Sequence, residues 1–159
     1  MPKTLLRKGW TFEEFSVGDT FVTAGRTVTE ADIVAFAGLS GDYNQLHTDV
    51  VFAARESAYG KRIAHGLLGL SIASGLVARA GFIEGTALAF LGLDWRFKAP
   101  IHIGDTITLR ARVTRTRPMP SAGGGIVVLD VAVVNQHGAT VQQGEWSMMM
   151  RGRPPAQSE

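Results

Sequence analysis

Asp42, Asn44 and His47 place a carboxylate, an amide and an imidazole close together in the sequence. Histidine titrates near neutral pH, and a nearby carboxylate can orient it or share its proton. Such a pair is suited to general acid and base chemistry on one water molecule. Gly41 and Asn44 permit the chain to fold back, which both side chains need if they are to face one point. The same spacing also fits a plain turn, in which Asp42 bonds local backbone and His47 is a surface side chain.

Gly66 supplies a second candidate group, its backbone N–H at the predicted start of a long apolar helix. The first N–H groups of a helix lack intrahelical acceptors, and the helix dipole is positive at that end. Glycine has no side chain to keep a ligand carbonyl away, so this N–H could stabilise a developing oxyanion. Plain helix packing is the alternative. His65 is interpreted as a helix-start side chain that bonds nearby backbone and is left outside the catalytic set.

Two predicted helices flank these residues. Thr29 and Asp32 form a capping-box pattern before apolar residues at helical spacing, so a short helix is predicted to begin there and to be ended by Gly38 and the Ser40-Gly41 pair. A loop from Ser40 to His47 and one or two helical turns within residues 49–57 are predicted to follow. The segment from about residue 64 to residue 80 is apolar nearly all round, so we expect a helix that protein encloses on most sides.

The remaining predicted elements are strands that form one sheet. An early strand is predicted within residues 20–28, and alternating apolar residues predict four later strands: residues 88–97, 106–116, 125–136 and 140–151. Short turns join most of them, which indicates an antiparallel sheet with the long helix on its concave face. The predicted class is α+β. Pairing two sheet edges across a two-fold axis would protect them, so a homodimer, or a homo-oligomer of dimers, is expected.

The bulk composition excludes several classes of protein. The 159 residues are predicted to form a single domain, 1–150, followed by a flexible C-terminal tail, 151–159. A net charge of only +2 gives no basic face for nucleic acid, and the absence of cysteine excludes disulfides and thiolate metal ligands. The N-terminal residues contain no apolar signal core, and no apolar run is long enough to span a membrane. A cytoplasmic protein without a membrane partner is therefore expected.

A resemblance to a known family enters through two motifs. The segment FAGLSGDYNQLHTD at residues 36–49 and the segment GKRIAHG at residues 60–66 resemble the hydratase motif of MaoC-like proteins and (R)-specific enoyl-CoA hydratases. The similarity continues through residues 93–97, Pro100 and Gly104-Asp105, and it covers most of residues 11–150. The resemblance implies a hotdog fold, in which a long central helix is wrapped by a curved antiparallel sheet.

The resemblance also implies roles for individual residues. The catalytic Asp and His of the family correspond to Asp42 and His47, its motif Asn to Asn44, and its oxyanion-hole Gly to Gly66. Its supporting Ser corresponds to Ser74. Ser71, one turn earlier, is a competitor for that role, and Ser74 could instead bond the carbonyl one turn back. Gln45 stands where the family usually has Pro, which leaves the loop less constrained.

The implied activity is reversible addition of water to a trans-2-enoyl-CoA, giving the (R)-3-hydroxyacyl-CoA. No cofactor is expected, because CoA is part of the substrate, and no metal is expected. A hotdog acyl-CoA thioesterase, a non-catalytic acyl-CoA-binding subunit, and a metal site built from Asp42, His47 and His65 are the alternatives. The candidates to line an acyl tunnel are Leu67, Leu70, Ile72, Phe90 and Trp95, and the candidates to bind CoA phosphates are Lys61, Arg62, Arg96 and Lys98.

Overall fold

The structure, a computed structural model, describes residues 9–154. The strands and α-helices in that range are β1 (Thr20–Val22), β2 (Arg26–Thr27), α1 (Glu30–Ser40), α2 (Gln45–Thr48), α3 (Val50–Arg55), α4 (Gly66–Ala80), β3 (Ala87–Phe97), β4 (Thr106–Met119), β5 (Gly124–Val134) and β6 (Thr140–Arg151). Two single 3₁₀ turns, Phe12–Glu14 and Pro120–Ala122, complete them. The other helices and the four later strands occur in the predicted order, but the single early strand predicted within residues 20–28 is two short strands, β1 and β2, and α2 was not predicted.

The strands form one antiparallel sheet against which α4 packs. Their order is β1-β4-β5-β6-β3, and the short β2 pairs with the far end of β4. Leu68, Ile72 and Leu76, which recur on one side of α4, join Leu109 of β4 and Val131 of β5 in a single buried cluster. Burying these side chains drives the sheet to wrap the helix, since each removes apolar area from water worth roughly 1.5–3 kcal/mol. The predicted α+β class is confirmed.

The helix boundaries follow their capping residues. The Thr29 hydroxyl accepts a hydrogen bond from the Asp32 N–H, and the Asp32 carboxylate accepts one from the Thr29 N–H. The predicted stop at Gly38 is wrong, because α1 continues through it and ends at Gly41, which has a φ of 77°. The predicted loop from Ser40 to His47 is wrong in its second half, because residues 45–48 form the short helix α2. Asn44 caps α2 by accepting a hydrogen bond from the Leu46 N–H at 2.9 Å.

One side of α4 is less enclosed than its apolar sequence predicts. Leu67 is 59% exposed, and Ser71, Ser74 and Ala78 along the same helix are also exposed. Within the chain, therefore, the sheet covers only the opposite face of α4. No helix of the described residues is long and apolar enough to cross a membrane.

The C-terminal segment makes ordered contacts beyond the residue at which a flexible tail was predicted to begin. The predicted tail begins at Arg151, but Arg151 belongs to β6, the Gly152 N–H donates to the Gly123 carbonyl at 2.7 Å, and the Arg153 N–H donates to Glu13 Oε2 at 2.8 Å. Pairing with the β4–β5 turn explains the difference. The rest of the predicted tail, residues 155–159, lies outside the described residues. So does the N-terminal segment 1–8, for which no signal core is predicted.

The Asp105 side chain holds the turn before β4 through two hydrogen bonds. The carboxylate accepts hydrogen bonds from the His102 N–H at 2.8 Å and from Gln136 Nε2 at 2.9 Å. Burial raises the pKa of Asp105, but these bonds and the nearby charges of His102 and Lys61 outweigh burial and leave the pKa below its ordinary 3.8. A carboxyl whose pKa falls on folding stabilises the fold above pH 3.8, and that stabilisation is lost as the pH drops through the folded-state value.

The Asp105→Asn protein is therefore expected to be about 1–3 kcal/mol less stable near neutral pH, because one of the two donors would face an amide N–H₂. Its melting temperature should also fall less steeply than that of the wild type between about pH 5 and about pH 2.5. Thermal unfolding followed by circular dichroism measures both effects. Asp94→Asn, whose side chain is 72% exposed, is the control and should behave as wild type. Parallel acid profiles for Asp105→Asn and wild type would contradict the prediction.

Candidate active site

Asp42, His47 and His65 converge at the start of α4. A carboxylate oxygen of Asp42 and one ring nitrogen from each histidine all lie within 4.8 Å of one another. Two hydrogen bonds of about 2.8 Å that share one oxygen span such a distance, so a single water can bond both the Asp42 carboxylate and the His47 ring. Asp42 also accepts the Asn44 N–H at 3.1 Å, as the plain-turn alternative predicted. The turn and the cluster therefore exist together.

The protonation of the His47 ring follows from its backbone partner. Nδ1 lies 2.8 Å from the Ile63 carbonyl oxygen. A carbonyl can only accept, so Nδ1 carries the proton and Nε2 of the neutral ring keeps its lone pair. His47 lies on the half-buried side of α2, and Asn44 and the Leu46–Ile63 backbone contact hold that helix. The geometry gives His47 the form of a general base.

The Gly66 N–H is free of protein acceptors among the described residues. His65 is the N-cap residue of α4, but its side chain makes no capping bond to the first turn. The Phe97 ring lies over Gly66 so closely that a Cβ there would approach ring carbons at 2.8 and 2.9 Å. A positive helix end, a free donor and an apolar cover therefore meet at one residue.

Gln142 fixes the first turn of α4 from the sheet. Its Nε2 donates to the Gly66 carbonyl at 2.9 Å, and its Oε1 accepts from Trp95 Nε1 at 3.1 Å. Gln142 is 2% exposed, so both of its polar atoms are matched in the interior. Sequence reasoning missed this residue, because its contact joins β6 to a helix 76 positions earlier in the chain.

A groove of about 460 Å³ runs past His47 and Gly66 and is also lined by Leu67, Phe97 and Lys98. A second groove, of about 390 Å³, lies between α1 and α4 and is mostly apolar. Of the predicted acyl and CoA contacts, Leu67 and Lys98 line the first groove and Ile72 lines the second. Arg62 instead pairs with Glu30 at 2.6 Å.

Two further predicted ligand contacts, Ser74 and Asn44, have other partners within the chain. Ser74 Oγ donates to the Ser71 carbonyl at 2.8 Å, which is the self-bonded alternative, while Ser71 donates to the Leu67 carbonyl and lines the second groove. The side-chain amide oxygen of Asn44, Oδ1, caps α2 by accepting the Leu46 N–H. Contact between substrate and Ser74 or Asn44 stays a prediction.

Asp42, His47 and His65 are also close enough to be considered as metal ligands. The two imidazole rings, however, are stacked, with centroids 3.9 Å apart and an interplanar angle of 30°. Nitrogen lone pairs lie in the ring plane, so stacked rings cannot both direct one at a single ion about 2.0–2.1 Å away. This donor set does not fit a metal ion in its present geometry.

Comparisons with known proteins agree with the motifs. The family model described as "MaoC like domain" matches residues 13–134. The chain is 45% identical over 105 residues to Protein MaoC of Klebsiella aerogenes, covering 65% of this chain but only 30% of that protein. It is 36% identical over 115 residues to the (R)-specific enoyl-CoA hydratase of Aeromonas caviae, covering 72% of this chain and 81% of the relative.

The architecture has a close counterpart among solved structures. The MaoC-like dehydratase from Rhodospirillum rubrum superimposes with a TM-score of 0.81 at 30% identity, over 92% of this chain and 99% of the other. The predicted hotdog fold is confirmed. Since the family model covers most of the described chain and the hydratase relative is matched over most of its length, this chain belongs to the family of MaoC-like domain proteins.

Proposed function

We propose that the protein is an acyl-thioester hydratase and dehydratase that adds water reversibly to a trans-2-enoyl-CoA. The observation that carries the proposal is the meeting of an Asp42 carboxylate, a His47 lone pair and a free Gly66 N–H at the start of α4. Relatives named as (R)-specific enoyl-CoA hydratase and 3-hydroxybutyryl-CoA dehydratase support the same reaction. The name of the hydratase relative also supports the (R)-3-hydroxyacyl product.

In the hydration direction, a water bonded to both Asp42 and His47 loses a proton to His47 Nε2 as its oxygen attacks C3 of the enoyl group. The electron pair of the C2=C3 bond moves toward the thioester carbonyl, and the proton that left the water passes from His47 to the Asp42 carboxylate, which delivers it to C2. Asp42 and His47 then have their starting protonation states, so the catalyst is regenerated and one water has been added. General acid and base steps of this kind contribute about 10²–10⁴-fold each.

The thioester oxygen gains negative charge when C3 is attacked. A thioester in the groove lined by Gly66 and Phe97 would place that oxygen at the free N–H of the positive helix end. A donor aimed at developing charge in a site sheltered from water is worth about 2.7–4 kcal/mol of barrier.

The test is a pair of assays on the full chain with crotonyl-CoA. We expect the absorbance of the conjugated enoyl thioester to fall with no release of thiol, and chiral analysis of the product to give the (R)-3-hydroxy isomer. Thiol release without loss of the double bond would identify a thioesterase instead. Neither change, in a protein that still binds CoA esters, would identify a binding subunit.

The exposed edge of the sheet supports a homodimer as the functional unit. Leu93 lies opposite Trp146 and Phe97 opposite Gln142, so both point to the core-facing side of the sheet, yet they are 48% and 53% exposed. Among the strands of residues 9–154, β3 pairs only with β6, so its other edge is open. A long apolar edge of this kind requires a cover, and a second copy supplies one of matching length.

Leu93→Glu is therefore expected to dissociate the dimer, because the substitution buries a charge at the two-fold contact. Sedimentation velocity should give a dimer for the wild type and a monomer for the variant at the same concentration. Val17→Glu, at an apolar surface residue that is 63% exposed on another part of the chain, is the control and should stay dimeric. A monomeric wild type would contradict this prediction.

A further inference from the structure

His65 is a buried titratable residue that the proposed mechanism does not use. Its side chain is 2% exposed and lies between two rings, His47 at 3.9 Å and Phe36 at 5.0 Å between centroids. Buried polar side chains are normally matched by partners, and the identity of those partners indicates the purpose of the residue.

The partner of His65 is the backbone of Asp42. His65 Nε2 lies 2.9 Å from the Asp42 carbonyl oxygen, so Nε2 carries the proton and donates it. The other ring nitrogen, Nδ1, is buried without a partner among the described residues. The ring is therefore oriented by a single hydrogen bond and by its packing.

Among the hydrogen bonds of the described residues, this one alone links the Asp42 loop, Gly41–Asn44, to a distant part of the chain. The other described hydrogen bonds of these four residues reach no further than five positions along the sequence, to Ala37, Ser40, Leu46, His47 and Thr48. Local bonds set the shape of a turn, but they do not place it relative to a separate helix. The loop is also exposed throughout, so packing does little to hold it.

His65 is covalently next to the proposed oxyanion donor. Its own carbonyl carbon and the Gly66 N–H belong to the same peptide group, at the first residue of α4. His65 thus donates to the Asp42 backbone, stacks on the His47 ring and shares a peptide group with the Gly66 N–H. A shift of about 1 Å between such groups can cost about 10²-fold in rate.

We propose that His65 is a positioning residue, whose Nε2–H holds the Asp42 loop in register with His47 and Gly66. The proposal rests on the proposed function, since register matters only if these three groups act on one substrate. The expected signature is a loss in kcat with little change in KM, because the substrate groove is lined by other residues.

Two substitutions separate the hydrogen bond from the ring. His65→Phe keeps a planar ring between His47 and Phe36 but removes the N–H. His65→Gln places an amide N–H₂ the same number of bonds from Cα as Nε2, so it keeps the donor and removes the ring. We expect kcat to fall about 10²-fold in His65→Phe and less than about tenfold in His65→Gln. His65→Met, which also lacks the donor, replaces His65→Phe if that variant does not fold.

Val131→Ala is the control for loss of stability alone. Val131 is fully buried on β5 and does not line the groove at the site, so its truncation should lower the melting temperature and leave kcat unchanged below the transition. Wild-type kcat in His65→Phe, or equal losses in His65→Phe and His65→Gln, would overturn the proposal.

A second measurement decides the proposal without catalysis. Backbone ¹⁵N relaxation should report increased motion of residues 41–44 in His65→Phe and wild-type order in His65→Gln. A wild-type protein that lacks hydratase activity would refute the proposed function, and the relaxation data would then decide the role of His65 alone. Unchanged order of the loop in His65→Phe would overturn it.

Discussion

Asp42→Asn is expected to lower kcat for hydration of crotonyl-CoA by about 10²–10⁴-fold, the range for loss of a general acid or base. The change removes the carboxylate charge and its ability to return a proton, but little else. An Asn Oδ1 can still accept the Asn44 N–H that closes the turn, and the side chain is exposed, so folding should be unaffected. KM should change less than kcat, because Asp42 bonds the water rather than the acyl group.

Asp49→Asn is the matched control for this prediction. It makes the same chemical change seven positions later, where the carboxylate caps α3 by accepting the Val51 and Phe52 N–H groups at 2.9 Å. Asn caps helices about as well as Asp, so both folding and kcat should stay at the wild-type level. A folded Asp42→Asn protein that hydrates crotonyl-CoA at the wild-type rate would remove Asp42 from the mechanism.

Local sequence patterns predicted most of the elements that hold this site. The Thr29 and Asp32 pair and the glycine that ends α1, Gly41, each act within a few residues, so their physical effects can be derived from the sequence alone. The helix α2 was missed because its four residues are too few for a periodic pattern. It also depends on contact with Ile63, which is not a local feature, as well as on the Asn44 cap.

The contacts that align the site could not be predicted in this way. The bond from His65 to Asp42 spans 23 positions and the bond from Gln142 to Gly66 spans 76 positions. Each requires the path of the intervening chain to be known. His65 illustrates the limit: a bond to nearby backbone was predicted, but its acceptor, the carbonyl of Asp42, is near in space and remote in sequence. The exposed face of α4 could not be predicted either. An apolar composition indicates that a helix is covered, but it does not specify whether the sheet of the same chain or a second copy covers each face.

Gly66→Pro is expected to lower kcat by about 10²–10³-fold, because it deletes the one N–H proposed to bind the thioester oxygen. Proline is tolerated at the first position of a helix, where the missing N–H has no intrahelical acceptor. The residue before a proline must be extended, and His65 already has φ of −56° and ψ of 137°. Helix α4 should therefore still begin at this residue.

Gly66→Ala separates the lost donor from crowding. Both substitutions add a Cβ that would approach the Phe97 ring at 2.8 Å, so both require the same movement of a half-exposed side chain, but only proline removes the N–H. The expected order of kcat is wild type, then Gly66→Ala with a loss below about tenfold, then Gly66→Pro with the full loss that a missing oxyanion donor produces. Equal rates for the two variants, with melting temperatures that match, would assign the effect to Phe97 and leave the thioester oxygen without its proposed donor. A proline variant that retains the rate of the alanine variant would thus contradict the electrostatic role of the α4 terminus, while leaving the acid and base roles of Asp42 and His47 to be judged by their own substitutions.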